Sequence, residues 1–386
     1  MKKIKLMNKI AKIGTEVFEE ERFSFTESDT EYDAIMVRSA ALHDISFPSS
    51  LSAIARAGAG VNNIPVDRCT EEGIVVFNTP GANANGVKEL ALCALVMSAR
   101  DVVGGIKWVE NLKGESGIAK TVETGKGVYA GNELLGKKLG VIGLGAIGGM
   151  VANAANALGM TVIGYDPYLT AAAAWNLAPS VKQASGYDEI FKSCDYITLH
   201  VPATPSTKNM ICEKTISMMK KGVRIINLAR ADLVLTEDIK AAIESGKVAR
   251  YVTDFPTDET VGVRGIINIP HLGASTYESE EHCAIMAAKQ LKEYLLTGNI
   301  KNSVNFPSVS LPHTAKARVT VMHKNIPNML SQITSAFSSA GVNIENLANG
   351  SKGEVAYTIV ETNDTADTKI VDTVMQIDGV FKVKCF

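Results

Sequence analysis

Leu139-Gly140-Val141-Ile142-Gly143-Leu144-Gly145-Ala146-Ile147-Gly148 reads as a short apolar strand, a glycine turn and the opening of a helix. The helical spacing continues through Ala146–Leu158, a segment rich in small residues. The next apolar run, Thr161–Tyr165, ends at Asp166, 18 residues after Gly148. A dinucleotide-binding βαβ unit carries its acidic residue at an offset of about 20. In such a unit the first glycine permits the tight turn, the second lets the backbone approach a pyrophosphate, and the third brings helix against strand. Gly143, Gly145 and Gly148 take those places, and the helix N-terminus would hold the phosphate charge. Asp166 would accept hydrogen bonds from both ribose hydroxyls. A 2′-phosphate would meet that carboxylate, and no arginine follows in Pro167-Tyr168, so NAD is expected over NADP.

Working outward, Ala34–Val37, Ile54–Ala57 and Ile74–Phe77 form one series of predicted strands. Leu139–Ile142, Thr161–Tyr165, Tyr196–Leu199, Arg224–Leu228, Tyr251–Thr253 and Ile266–Ile269 form a second. Most are continuous apolar runs, as in strands covered on both faces, and helical segments such as Glu237–Ser245 lie between them. The alternation predicts an α/β protein with two doubly wound parallel sheets, one flavodoxin-like and one Rossmann-like. Asn83–Val103 reads as one long helix bridging the two series, and Ser279–Leu296 as a helix returning the chain to the first. The expected domains are residues 1–88 plus 282–307, residues 89–281, and residues 313–386. Phe306-Pro307-Ser308-Val309-Ser310-Leu311-Pro312 reads as a linker before the last of these.

The length of 386 residues agrees with two or three domains. Basic residues number 39 against 41 acidic ones, a net charge of −2, which argues against a nucleic-acid or anionic-membrane partner. No apolar stretch approaches the roughly 20 residues that span a bilayer. Met1–Lys12 carries lysines but no following apolar block, so no signal peptide is expected. Six cysteines are scattered without C-x-x-C or Cys/His spacing, which predicts reduced thiols, a cytoplasmic location and no metal.

An alcohol–carbonyl interconversion on a nicotinamide needs a cation for the substrate, a residue that carries a proton, and a group that holds that residue. Arg230 follows the strand Arg224–Leu228, His271 follows Ile266–Ile269, and Glu259 lies in the loop beyond Asp254. Strand carboxyl ends are where open α/β sheets place their ligands.

These residues sit in a wider pattern. Arg56-Ala57-Gly58-Ala59-Gly60-Val61-Asn62-Asn63, Asn78-Thr79-Pro80-Gly81, the Gly143 fingerprint, Asn227–Arg230 and Pro270-His271-Leu272-Gly273-Ala274-Ser275-Thr276 resemble the D-isomer-specific 2-hydroxyacid dehydrogenases, most closely their phosphoglycerate branch. The resemblance covers nearly the whole chain. It implies NAD-dependent oxidation of 3-phospho-D-glycerate to 3-phosphooxypyruvate, the first step toward L-serine. Glycerate or 2-hydroxyglutarate as the acid, and a non-catalytic NAD(H)-sensing protein, are the competing readings.

By the same resemblance Arg230, Glu259 and His271 are catalytic: His271 carries the proton, Glu259 holds the imidazole, and Arg230 grips the carboxylate. A gapless count selects Glu259. Aligning on Phe255-Pro256-Thr257 selects Asp258 instead, with Thr253 in place of the aspartate. The resemblance also sets Ala59, Ala146, Ile147, Val201, Leu228, Ala229, Asp254, His271, Gly273 and Ala274 along the cofactor, Asp254 toward its carboxamide. Arg38, Arg56, Ala59, Gly60, Asn83 and Arg230 are expected at the substrate, with Lys126 a candidate from a second subunit. Ala231-Asp232 departs from the family, which commonly has glycine after the arginine.

Beyond the linker the order is β-α-β-β-α-β, the ferredoxin-like unit, whose open sheet edges invite a second copy. It resembles an ACT domain. That implies L-serine held by His323, Asn325 and Asn343 between two such modules, in a homodimer or homotetramer. Asn328 stands where the family turn has glycine.

Overall fold

A computed structural model describes residues 1–363 and 368–386; part of the module expected at 313–386 therefore lies outside the described residues. The chain divides into two compact units, Met1–Ala82 with Glu280–Phe386, and Asn83–Ser279.

In the first unit β1 (Lys2–Met7), β2 (Phe23–Thr26), β3 (Ala34–Val37), β4 (Ala53–Arg56) and β5 (Val75–Phe77) form a parallel sheet in the order β2-β1-β3-β4-β5. Alternate residues serve opposite faces. Ile4, Ala34, Met36, Ala53, Ala55 and Phe77 meet Cys283, Ala287, Leu291 and Leu295 of the helix Tyr277–Thr297. Ile35, Val37, Ile54 and Val76 pack with Leu42, Leu51, Ile64 and Cys69. β1 is hard to see in the sequence because only Ile4 is fully buried in it, while Lys2 and Lys3 reach out to Asp33 and Asp29.

In the second unit β6 (Lys138–Ile142), β7 (Thr161–Tyr165), β8 (Lys182–Gln183), β9 (Tyr196–Leu199), β10 (Val223–Asn227), β11 (Val248–Thr253) and β12 (Ile266–Asn268) are all parallel. Their order, β12-β11-β10-β9-β6-β7-β8, reverses between β6 and β9, the place where doubly wound sheets bind ligands. Val151, Ala152 and Ala155 of the helix Ala146–Ala157 pack against Ala91, Ala94 and Leu95 of the helix Ala84–Ala99. The single helix expected over Asn83–Val103 is two. Arg100 is extended, and Asp101 starts the helix Val102–Asn111 by accepting the Gly104 N–H at 3.0 Å.

The C-terminal sheet of the first unit joins β13 (Ala317–Lys324), β14 (Ile344–Lys352), β15 (Val355–Thr362) and β16 (Val380–Cys385), all antiparallel, in the order β14-β15-β13-β16. The helices Met329–Ser339 and Thr368–Met375 cover one face through Ile333, Phe337, Ile370 and Val374. This is the βαββαβ unit. Its other face is packed too: Met322, Tyr357 and Ile359 share a core with Ile300, Phe306 and Val309. The segment read as a linker is therefore pinned, with Leu311 N–H on Asn299 Oδ1 and a bridge between Ile300 and Val309.

Arg318 of β13 and Glu361 of β15 form a fully buried ion pair at 2.6 Å. Arg318 also donates to the carbonyls of Thr297 and Leu311 and to Asn299 Oδ1, so one guanidinium ties the sheet to the pinned segment. Burial alone would raise the Glu361 carboxyl, but the hydrogen bonds and charge of Arg318 outweigh it and hold it below its ordinary range. Stability from such a group is present above the unfolded pKa and lost as pH falls through the folded one. Arg318→Ala strands the carboxylate and is expected to cost about 3–5 kcal/mol in urea unfolding, and the combined Arg318→Met/Glu361→Leu change should restore most of it.

Candidate active site

β6 runs into Gly143, the residue after its last, whose φ of 89° only glycine adopts cheaply. A Cβ there would overlap the His200 carbonyl, and one on Gly148 would overlap the carbonyl of Gly143. Gly145 faces open space, with Ala146 exposed and Ile147 half-buried beyond it. No side chain caps the helix Ala146–Ala157, so its first amides are free to meet an anion. At the end of β7, Asp166 accepts the Leu144 and Tyr168 N–H groups, both at 2.9 Å. Val201, half-buried, lies beside Gly143, and burial pushes the neighbouring His200 imidazole down to about 4.

The ends of β10, β11 and β12 supply the second cluster. Asp254, 1% exposed, follows β11, and one of its oxygens is buried without a hydrogen-bond partner. Burial pushes its carboxyl up, while electrostatic interaction with the nearby His271 and Arg230 side chains pulls it back. His271 is exposed and packs on the Phe255 ring with centroids 4.9 Å apart. Arg230 is exposed and donates to its neighbour Ala229 at 2.6 Å. Leu228 is buried, Ala229 and Ala274 are half-buried, and Gly273 is buried against Val87 and Asp254.

Glu259 and Asp258 are both exposed in the loop before β12. Among the described residues neither carboxylate forms an ion pair or hydrogen bond with His271; Phe255 occupies the ring's flank. Ala231 sits in a 3₁₀ turn, Ala231–Leu233, without positive φ, so a side chain at this position costs no strain. Asn227 is a positioning residue whose part the sequence hides. Fully buried at the end of β10, it accepts the Ala229 and Arg230 N–H groups at 3.2 and 3.4 Å and donates to the Arg230 carbonyl at 2.8 Å. An asparagine closing on the backbone two and three residues ahead is the only signal it leaves.

Asn83 caps no amide at the start of its helix. In the first unit, Arg38 pairs with Glu280 at 2.6 Å, and Arg56 donates to the carbonyls of Arg38 and Gly60. Ala59 is exposed, its carbonyl accepting from Asn78. His323 is buried in β13, its ring nitrogens on Lys324 O at 2.8 Å and Thr358 Oγ1 at 2.9 Å. Asn325 and Asn343 are exposed. Asn328 adopts a φ of 71°, which asparagine tolerates in glycine's place.

Residues 94–277 match the family model described as the NAD-binding domain of D-isomer-specific 2-hydroxyacid dehydrogenases. A D-3-phosphoglycerate dehydrogenase of Haemophilus influenzae is 30% identical over 339 residues, covering 84% of this chain and 78% of that protein. The chain belongs to the D-isomer-specific 2-hydroxyacid dehydrogenase family. A D-3-phosphoglycerate dehydrogenase of Synechocystis is 36% identical over 72% of this chain, and the chain spans about half, 50%, of that protein's length. Among solved structures, NAD⁺-bound 3-phosphoglycerate dehydrogenase of Entamoeba histolytica aligns with a TM-score of 0.62 at 26% identity, over 79% of this chain and 98% of that one.

The residues of this family member fit the cofactor. The uncapped helix and open Gly145 suit a pyrophosphate, Asp166 suits a ribose, and the unpartnered oxygen of Asp254 suits an amide donor. Because folding raises the Asp254 carboxyl, it penalises the native state above the unfolded pKa and not below it. Asp254→Asn should therefore raise the melting temperature of the ligand-free protein at neutral pH, with the gain fading as pH falls through the carboxylate range. The same variant should bind NADH more weakly by fluorescence titration.

Proposed function

We propose that this chain oxidises 3-phospho-D-glycerate to 3-phosphooxypyruvate with NAD, the first step of L-serine formation. The observation that carries the reading is the buried Asp254 with His271 and Arg230 beside it, at three neighbouring strand ends. Relatives named D-3-phosphoglycerate dehydrogenase support the substrate.

NAD, when bound, supplies the hydride acceptor. His271 takes the proton of the C2 hydroxyl as the C2–H bond breaks, so the alcohol loses one proton and one hydride in total. Arg230 binds the carboxylate and the developing carbonyl through its planar fork, which a lysine could not reproduce. Asn227 sets the backbone from which that arginine projects. Glu259 is the proposed partner of the imidazole, and pairing requires the loop before β12 to carry it to the ring.

The proposed organisation is a substrate domain of residues 1–88 and 282–307, an NAD domain of 89–281 and an ACT domain of 313–386, in a cytoplasmic homo-oligomer. L-Serine is the proposed effector. Asn325 and Asn343 present exposed amides to it, while the doubly bonded ring of His323 steadies the turn behind them.

His271→Ala should lower turnover at least about a hundredfold in an assay that follows NADH absorbance, with NADH affinity retained. Rates with phosphoglycerate, glycerate and 2-hydroxyglutarate test the acid; faster oxidation of either unphosphorylated acid would refute the assignment. Glu259→Gln should slow turnover more than Asp258→Asn.

A further inference from the structure

The second unit has a concave site toward the amino ends of β10 and β11, remote from the glycine turn. A cavity of about 420 Å³ is lined by Ser98, Arg100, Asp101, Asn132, Arg224 and Arg250, among others. Arg224 lies near the start of β10 and Arg250 within β11, whereas Arg230 and Asp254 follow the ends of the same strands. At roughly 3.3 Å per residue, the five residues of β10 hold the two ends about 15 Å apart. None of the residues assigned to cofactor, substrate or effector lines this cavity.

Three guanidinium groups face one carboxylate here, in a chain whose overall charge is −2. That carboxylate is largely committed elsewhere. Asp101 Oδ1 accepts the Gly104 N–H, and Oδ2 is 3.7 Å from Arg250, a long pair with both side chains about one-third exposed. Arg100 bonds only through its backbone, its N–H to the Val96 carbonyl and its carbonyl to the Val102 N–H, and its guanidinium has no hydrogen bond or ion pair among the described residues. Arg224 is held in place: its Nε donates to the Ser98 carbonyl at 2.9 Å, and its guanidinium lies 5.1 Å from the centre of the Tyr196 ring. The floor is held as well. Asn132 N–H bonds the Ala99 carbonyl at 3.0 Å, and a Cβ on Gly131 would overlap that same oxygen, so the chain is drawn tightly across the end of the helix Ala84–Ala99.

Like charges gathered in a concavity repel one another, and a multiply charged oxyanion relieves that repulsion. Planar guanidinium forks match phosphate oxygens two at a time. We propose that this cavity is a second anion site, which takes a phosphate group through Arg100, Arg224 and Arg250. It stands apart from the catalytic assignment, since no residue is shared with it.

Isothermal titration of inorganic phosphate into the full chain tests this. Wild-type protein and Arg230→Ala should bind phosphate alike at this site. Arg100→Ala/Arg250→Ala should weaken that binding at least about tenfold, and Arg100→Lys/Arg250→Lys should weaken it less. The melting temperature of each variant checks folding; should the alanine pair fail to fold, Asn132→Asp places a carboxylate in the same cavity and should cause the same loss. Equal phosphate binding by wild type and the folded variants would overturn the proposal, as would no binding to wild type at millimolar phosphate.

Discussion

A carboxylate taken out of water at the end of a strand must be compensated, and Asp254 is the point on which the catalytic assignment turns. Burial works against its charge, and the imidazole of His271 and the guanidinium of Arg230 work for it. Parallel pairing of β10, β11 and β12 brings their carboxyl ends side by side, so the residues that follow each strand meet without long-range design. Asn227 then locks the turn that carries Arg230. The oxygen of Asp254 left without a partner is a cost in the free protein that a bound amide donor removes.

The same unit uses backbone crowding at its switch point. Gly143 and Gly148 leave no room for side chains, so strand, turn and helix N-terminus are drawn together while Gly145 stays open. The glycine turn and the acidic residue at Asp166 thus offer peptide amides and a carboxylate at the carboxyl ends of β6 and β7. Arg224 and Arg250 lie toward the amino ends of β10 and β11.

Much of this was legible in the sequence, because its signals are local. The glycine fingerprint, the Asp166 offset and the buried apolar runs each depend on a few consecutive residues, and they mark β6, β7, β9 and β10 to within a residue or two. What escaped depends on distant partners. β1 looks like a lysine-rich terminus until its lysines find Asp29 and Asp33. The helix from Asn83 keeps its apolar spacing past Ala99, yet an extended Arg100 and the Asp101 cap divide it. Phe306 and Val309 look like linker residues because their partners in β13 and β15 lie further along the chain. At the site, Arg230 and His271 announce themselves by position after strands. Asn227 is silent because its work is done on backbone atoms, and Glu259 stands away from the ring that the family pattern assigns to it.

In the proposed reaction, hydrogen passes directly from C2 of the hydroxy acid to the nicotinamide while His271 takes the proton. Incubation with 3-phospho-D-glycerate deuterated at C2, followed by mass spectrometry of the reduced dinucleotide, tests that transfer most directly. One deuterium per NADH, carried on the nicotinamide ring, is the expected result. Unlabelled NADH, or no NADH at all from protein that binds the dinucleotide, would contradict the account.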